Sequence, residues 1–206
     1  MISIIVAVSD DWGIGRNNEL LWRIPDDMKR FKSLTMGKAV LMGKKTWESL
    51  PKRPLPGRTN IVVTDIPGES FEGAIMAYSI EDALIKCNKE EEIFIIGGGT
   101  IYRQFMLLAD RLYITHVHKS GPADVYFPVI DKSIWKVLSN EDYPETETNP
   151  AYSYTVYGKQ SNSLPISIFI LCVPLFTKVT TGFLMLHLYF FIFPLNLLSF
   201  LPSICL

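Results

Sequence analysis

The residues best placed to do chemistry begin with Asp27, in the stretch LLWRIPDDMKRFKSL at positions 20–34. At 100° per residue, Ile24, Met28, Phe31 and Leu34 gather into one apolar stripe, and Asp27 falls inside it. A carboxylate on an inward helix face needs hydrogen-bonding partners or a raised pKa, because burial disfavours its charged form. Such a group often marks a ligand site. The competing reading is a helix-start role, since acidic residues in a first turn complement the helix dipole; the position in the stripe favours the pocket. Two further clusters suit phosphate. Gly43, Lys44, Lys45 and Thr46 combine backbone N–H groups, charge and a hydroxyl. Gly97, Gly98 and Gly99, before Thr100, let the backbone approach a cofactor and take torsions closed to other residues.

These groups depend on the elements that carry them. Pro25 starts a helix over 25–34, where its missing N–H costs nothing. Asp26 sits four residues before Arg30, a weak surface pair, with Lys29 and Ser33 on the same outer face. Trp22, just upstream, is placed to wall the pocket. Residues 2–8, 39–42, 60–63, 75–78, 92–96 and 111–116 read as strands. Residues 44–50, 80–87 (with Ser79 as N-cap) and 100–109 read as helices. The runs 135–138 and 152–157 look like an antiparallel pair. Strands alternating with helices imply βαβ crossovers, hence an α/β fold: a single domain with a mixed, mostly parallel sheet and helices on both faces. Both phosphate-friendly turns follow strands, so they fall at one end of the sheet, where α/β ligands bind.

The formal net charge of −1 over 206 residues gives no reason to expect a nucleic-acid partner. Of Cys87, Cys172 and Cys205, one lies in the body of the chain, so neither a disulfide framework nor a metal site is expected there. That usage fits a reducing cytoplasm. The opening MISIIVAVSDD lacks a basic flank and reads as a buried strand, not a signal peptide. From Ser161 onward the only formally charged side chain is Lys178.

The motifs GIG at 13–15, LWRIPDDMKRFK at 21–32, VLMGKKTWESL at 40–50, PLPGRTNIVV at 54–63, IIGGGTIYRQF at 95–105, LYITHV at 112–117 and DVYFP at 124–128 resemble the bacterial dihydrofolate reductases. The resemblance covers residues 1–159 in the family's order and spacing. It implies the same α/β fold and the reduction of 7,8-dihydrofolate to tetrahydrofolate by hydride transfer from NADPH, a step that supplies one-carbon metabolism. It also implies a cytoplasmic enzyme, expected to be a monomer, whose partners are dihydrofolate and NADPH.

By that resemblance, Asp27 is the acidic group of the pterin pocket. It orients the ring through two parallel hydrogen bonds and favours its protonation, while Trp22 and Thr115 order the carboxylate and a water. Ile5, Ala7, Met28 and Ile96 line the pterin pocket. Phe31, Leu50 and Leu55 enclose the aminobenzoyl ring. Arg58 grips the substrate's α-carboxylate with its planar fork, and Lys32 and Arg53 add positive potential. The cofactor set comprises Ala7, Ile14, Gly15, Leu20, Gly43, Lys44, Lys45, Thr46, Val63, Thr64, Gly97, Gly98, Gly99, Thr100, Ile101, Tyr102 and Gln104. Residues 14–21 form a mobile loop that closes over the nicotinamide, with Gly13 and Gly15 supplying loop torsions.

Two positions depart from the family. Thr100 stands where some relatives carry an arginine for the cofactor's 2′-phosphate, and Asp65, beside Thr64, would repel that phosphate. Lys44 and Lys45 are the compensating charges, and NADPH is the expected cofactor. The apolar runs 164–177 and 182–206 have no counterpart in the family. A membrane anchor through 182–206 is one reading. An extension unrelated to the enzyme is favoured, because the acidic residues stop abruptly and residues 1–160 already make a domain. The rivals to a reductase of dihydrofolate are a non-catalytic nucleotide-binding module and a reductase of another pterin-like substrate. Asp27 with the cofactor turns argues against the first, and Arg58 against the second.

Overall fold

A computed structural model describes residues 1–87 and 92–160. In chain order the elements are β1 (Ile2–Ser9), β2 (Gly13–Arg16), β3 (Glu19–Leu20), α1 (Pro25–Thr35), β4 (Ala39–Gly43), α2 (Lys44–Ser49), β5 (Thr59–Val63), β6 (Ile75–Ala77), α3 (Ile80–Lys86), β7 (Ile93–Gly97), α4 (Gly99–Phe105), β8 (Arg111–Val117), β9 (Val125–Tyr126), β10 (Trp135–Tyr143) and β11 (Tyr152–Lys159). Eight strands form one sheet in the order β10-β11-β8-β1-β7-β4-β5-β6. Neighbours from β8 to β6 pair in parallel, whereas β11 runs antiparallel to both β8 and β10.

The central strands are apolar at nearly every position because both sheet faces are covered. Alternate residues feed two layers. Ile4, Val6 and Val8 of β1, Ala39 and Leu41 of β4, Ile61 of β5 and Ile95 of β7 pack against Ala83 of α3 and Ile101, Tyr102 and Phe105 of α4. Ile5, Val40, Met42, Val62 and Phe94 point the other way, toward Phe31 and Leu34 of α1 and Trp47 of α2. This is the expected mixed sheet with helices on both faces. Ser79 caps α3, accepting a hydrogen bond from the Asp82 N–H at 3.0 Å. Met1–Gln160 forms one compact unit. The expectations about 164–177 and 182–206 concern residues outside those described. Among the described residues, no helix is long and apolar enough to cross a membrane.

The segment 14–21, expected to close over the nicotinamide, is largely paired. β2 and β3 make a hairpin whose turn residues, Asn17 and Asn18, have φ of 51° and 63°. Asparagine tolerates that left-handed backbone, which a tight hairpin turn requires. β2 also pairs with the short β9 to form a second, three-stranded sheet. Gly13 and Gly15 are therefore needed for space and not for torsion. A Cβ on Gly13 would lie 2.6 Å from Ala123 Cβ, and one on Gly15 would lie 2.8 Å from the Glu19 carbonyl oxygen. Two further expectations shift: α4 ends at Phe105 and not at 109, and β10 continues past 138 to Tyr143.

Candidate active site

α1 begins with Pro25 after a buried Ile24, whose carbonyl accepts the Met28 N–H at 3.1 Å. This fixes the first turn so that Asp27 faces β8. Thr115, only 1% exposed, lies in β8 opposite Ala7 of β1 on one side and Tyr154 of β11 on the other. Its hydroxyl donates a 2.6 Å hydrogen bond to Asp27 Oδ1. Burial pushes the Asp27 pKa upward; the Thr115 hydrogen bond and the Arg30 charge pull it back without cancelling the rise. The carboxylate is thus recessed, half-buried and inclined to hold a proton more readily than a surface aspartate.

Two neighbours differ from expectation. Arg30 does not pair with Asp26, which is taken by Lys29 at 2.9 Å. The Arg30 guanidinium instead lies 4.2 Å from the centre of the Tyr154 ring and 5.9 Å from that of Tyr113, a cation–π arrangement that turns it toward the sheet. Met28, assigned to the inward stripe and the pterin wall, is 38% exposed. The stripe is narrower than the 100° projection implies, because α1 meets the sheet mainly through Phe31 and Leu34.

The other candidate walls do converge. Ile5, Phe31, Leu50, Leu55 and Ile96 belong to one cluster, with all but Ile5 only partly buried. Ala7 is half-buried beside them on β1. Arg58 is held by the turn before β5 and by α1: its Nε donates to the Pro56 carbonyl at 3.1 Å and its Nη1 to Thr35 Oγ1 at 3.2 Å. Its guanidinium stands 6.0 Å from the centre of the Phe31 ring, at the end of that wall. Lys32 and Arg53 are exposed, and Arg53 Nη1 donates to the Glu48 carbonyl. Trp22 packs with Ile24, Val117, Tyr152 and Tyr154, and its indole N–H is buried without a hydrogen-bond partner. The Arg30 Nη1 and Tyr154 hydroxyl atoms share that state.

The two glycine-bordered turns lie side by side because β4 and β7 are neighbours, with Met42 opposite Gly97. Gly97 has φ of 131° and follows the last apolar residues of β7; the Gly97–Gly98 peptide bond is cis. A Cβ on Gly97 or Gly98 would stand 3.1 or 3.2 Å from Thr46 Oγ1. The bare glycine backbone therefore lies close against Thr46, where two methyl groups would crowd. Val63 sits opposite Gly43 on β5. Ile101 is buried against Gly43, whose added Cβ would meet it at 3.1 Å. Tyr102 is core: its hydroxyl donates to the Ile5 carbonyl at 2.9 Å, and burial holds its pKa well above the usual range. Its contribution is to fix β1, not to offer a donor. Thr100 and Gln104 are exposed. Ile14, Gly15 and Leu20 lie on the β2–β3 hairpin, which reaches the turn through β9: Val125 packs where a Cβ on Gly99 would sit.

The roles of three polar residues escaped the sequence reading. Arg103, one turn beyond Thr100, donates back to its Oγ1 at 3.2 Å, which puts a guanidinium near the position where the family arginine is missing. Arg30 is the second. The third is Glu69, which pairs with Lys44 and accepts the Thr64 hydroxyl at 2.6 Å. Lys44 is thus not simply a charge compensating for Asp65. Glu69 lies in a loop with no periodicity, so no sequence signal marked it.

An aspartate anchored to β8, an apolar cluster reached by the same helix and two glycine-bordered turns at the carboxyl ends of β4 and β7 fit a nucleotide-dependent α/β enzyme acting on a flat heterocycle. The dihydrofolate reductase family model matches residues 1–159, and the chain belongs to that family. It is 42% identical over 164 residues to the dihydrofolate reductase of Bacillus subtilis (strain 168), covering 79% of this chain and 97% of that protein. It is 42% identical over 156 residues to the enzyme of Neisseria meningitidis serogroup A, covering 76% and 96%. Its fold is similar to the structure of dihydrofolate reductase from Enterococcus faecalis complexed with NADP(H) and RAB-propyl. The TM-score is 0.72 and the identity 33%, covering 77% of this chain and 96% of that one.

Proposed function

We propose that the protein reduces 7,8-dihydrofolate to tetrahydrofolate with NADPH, and that Asp27 is the group on which the chemistry turns. The observation that carries this reading is the half-buried Asp27 carboxylate, anchored by Thr115 one turn before Phe31 of the apolar cluster. One carboxylate oxygen faces Thr115; together the pair can accept the ring N–H and exocyclic amine of a pterin. Ile5, Ala7 and Ile96 flank the ring, Phe31, Leu50 and Leu55 hold the benzoyl group, and Arg58 takes the α-carboxylate. Met28, Lys32 and Arg53, being exposed, act at the rim.

The cofactor turns fit a dinucleotide. Gly97 and Gly98 bring bare backbone against Thr46, where added Cβ atoms would crowd, and Thr46, Lys44 and Lys45 supply a hydroxyl and two cations on the neighbouring turn. NADPH held there supplies the hydride. The chain's own part is positional: Gly97–Thr100 and Gly43–Thr46 receive the backbone of the dinucleotide, Val63 and Thr64 border its adenosine side, and Ile14, Gly15 and Leu20 cover the reacting face and exclude water. Asp27 raises the proton affinity of the bound ring by its charge. Trp22 Nε1, a buried donor without a partner, is available to a water between them.

The enzyme works in the cytoplasm as a monomer, through residues 1–160. The reading is tested by following NADPH oxidation in the presence and absence of dihydrofolate. Oxidation that did not depend on dihydrofolate would overturn it.

A further inference from the structure

Glu69 stands where the cofactor's adenosine-side phosphate is expected. In the proposed NADPH site Lys44 and Thr64 border that end of the dinucleotide, and the role of Glu69 rests on that assignment. Both residues already have an anionic partner. Lys44 Nζ is paired with Glu69 Oε1, and the Thr64 hydroxyl donates to Glu69 Oε2 at 2.6 Å. The carboxylate is not loosely placed. The Glu69 N–H donates to the Ile66 carbonyl at 3.3 Å, and the Tyr78 hydroxyl donates to the Glu69 carbonyl at 3.2 Å. The Glu69 side chain is 17% exposed and that of Lys44 33%, so the pair is sheltered more than an ordinary surface bridge.

We propose that Glu69 sets the cofactor preference. By occupying Lys44 and Thr64 it narrows the discrimination between NADPH and NADH. The chemistry is that of two competing anions on one cation. A hydroxyl has a single proton to donate, and that of Thr64 is directed at Glu69, so toward a dianionic phosphate it presents only a lone pair and makes no hydrogen bond. Lys44 keeps two of its three donors, but a phosphate approaching them meets the Glu69 carboxylate, with Asp65 also close enough to act on Lys44. A 2′-phosphate carries roughly −1.5 to −2 charges at neutral pH and feels that repulsion fully. NADH presents a 2′-hydroxyl instead, which can donate to a carboxylate, as an acidic residue does for the ribose in many dinucleotide sites. Glu69 therefore weakens one cofactor and accommodates the other. The exposed Lys45, and Arg103 near Thr100, are the cations that keep NADPH ahead.

The test is calorimetric titration of the full chain, wild type and Glu69→Gln, with adenosine 2′,5′-bisphosphate and with adenosine 5′-monophosphate, then with NADPH and NADH. Removing one partly screened charge a few ångströms from the phosphate should tighten the bisphosphate and NADPH by about threefold to tenfold. The 5′-monophosphate and NADH should bind as before or more weakly. The gain should shrink as salt rises. Lys44→Gln should cost more bisphosphate affinity in the Glu69→Gln background than in wild type, because Lys44 is then free for the phosphate. Glu69→Ala removes the same charge and serves if the glutamine variant is unstable. An unchanged affinity ratio, with the bisphosphate still bound by both forms, overturns the role of Glu69 alone. Failure of either form to bind the bisphosphate overturns the cofactor assignment of this edge as well.

Discussion

Thr115 and Asp27, 88 residues apart in the chain, meet through a 2.6 Å hydrogen bond in which the threonine hydroxyl donates to the carboxylate. Thr115 is locked in the middle of the sheet, so the bond fixes a helical carboxylate to a rigid strand. Asp27→Asn keeps the acceptor for Thr115 and removes the charge. Turnover with dihydrofolate should fall by about a hundredfold or more near neutral pH, the scale of a lost general acid–base group. The deficit should shrink as pH falls, because a growing fraction of the substrate then arrives already protonated. Steady-state NADPH oxidation across that range checks this, and an undiminished rate at neutral pH would remove Asp27 from the mechanism.

The same substitution should stabilise the fold. Burial raises the Asp27 pKa above its ordinary 3.8, so the folded state holds that proton to higher pH than the unfolded chain does. Folding is therefore favoured by this group below 3.8, and the advantage is lost as pH rises through the folded pKa. Above that window the wild type carries a buried charge that the asparagine variant lacks. Urea midpoints for the two proteins should coincide in acid and separate at neutral pH in favour of Asp27→Asn, with equal slopes. A variant less stable than wild type at neutral pH would contradict the linkage.

The sheet was legible because covered strands are continuous apolar runs, and the strand at 2–8 could be little else. The position of Asp27 in its helix was legible for a related reason: a charge inside an apolar stripe is conspicuous. Arg30 was not, because its direction is set by Tyr113 and Tyr154, which reach α1 only through the folded sheet. The β2–β3 hairpin was missed although Asn17-Asn18 is a hairpin signal, since the strands beside it are only four and two residues long. Glu69 lay beyond any local pattern, as loop residues declare their partners only in three dimensions.

Arg30 should tune Asp27 without supporting the fold. Its charge lowers the Asp27 pKa, and its Nη1 is buried without a partner. Arg30→Met keeps much of the apolar stem while deleting the charge, so the pKa of Asp27 should rise further. The pH profile of turnover should move upward. Stability should change by less than about 1 kcal/mol, because the lost cation–π contact on Tyr154 is offset by relief of the unpartnered Nη1. A large loss of stability with an unmoved profile would make Arg30 a packing residue only.

The glycine turn should separate strain from access. Gly97 has φ of 131°, a backbone closed to L side chains, so Gly97→Ala should cost about 1–3 kcal/mol in unfolding free energy. Gly98, at φ −91°, has no such constraint. Its added methyl would meet only Thr46 Oγ1 at 3.2 Å, a side chain that can shift. Gly98→Ala should therefore leave the melting temperature within a few degrees, roughly the effect of 1 kcal/mol or less, yet weaken NADPH. Equal NADPH affinity in Gly98→Ala and wild type, measured by titration, would place the cofactor elsewhere.

A chain ending at Gln160 should fold and turn over like the full protein. Met1–Gln160 is one compact unit with both core layers inside it. Its last strand, β11, is paired on both sides, with β8 and with β10. Gln160 itself is tied down, its N–H donating to the Ile134 carbonyl at 2.8 Å and its Nε2 to the Lys132 carbonyl at 3.0 Å. Cutting after it breaks none of these bonds. Equal kcat and a cooperative urea transition are the expected results. A shortened chain that failed to fold would make residues 161–206 structural and would retract the assignment of the activity to residues 1–160.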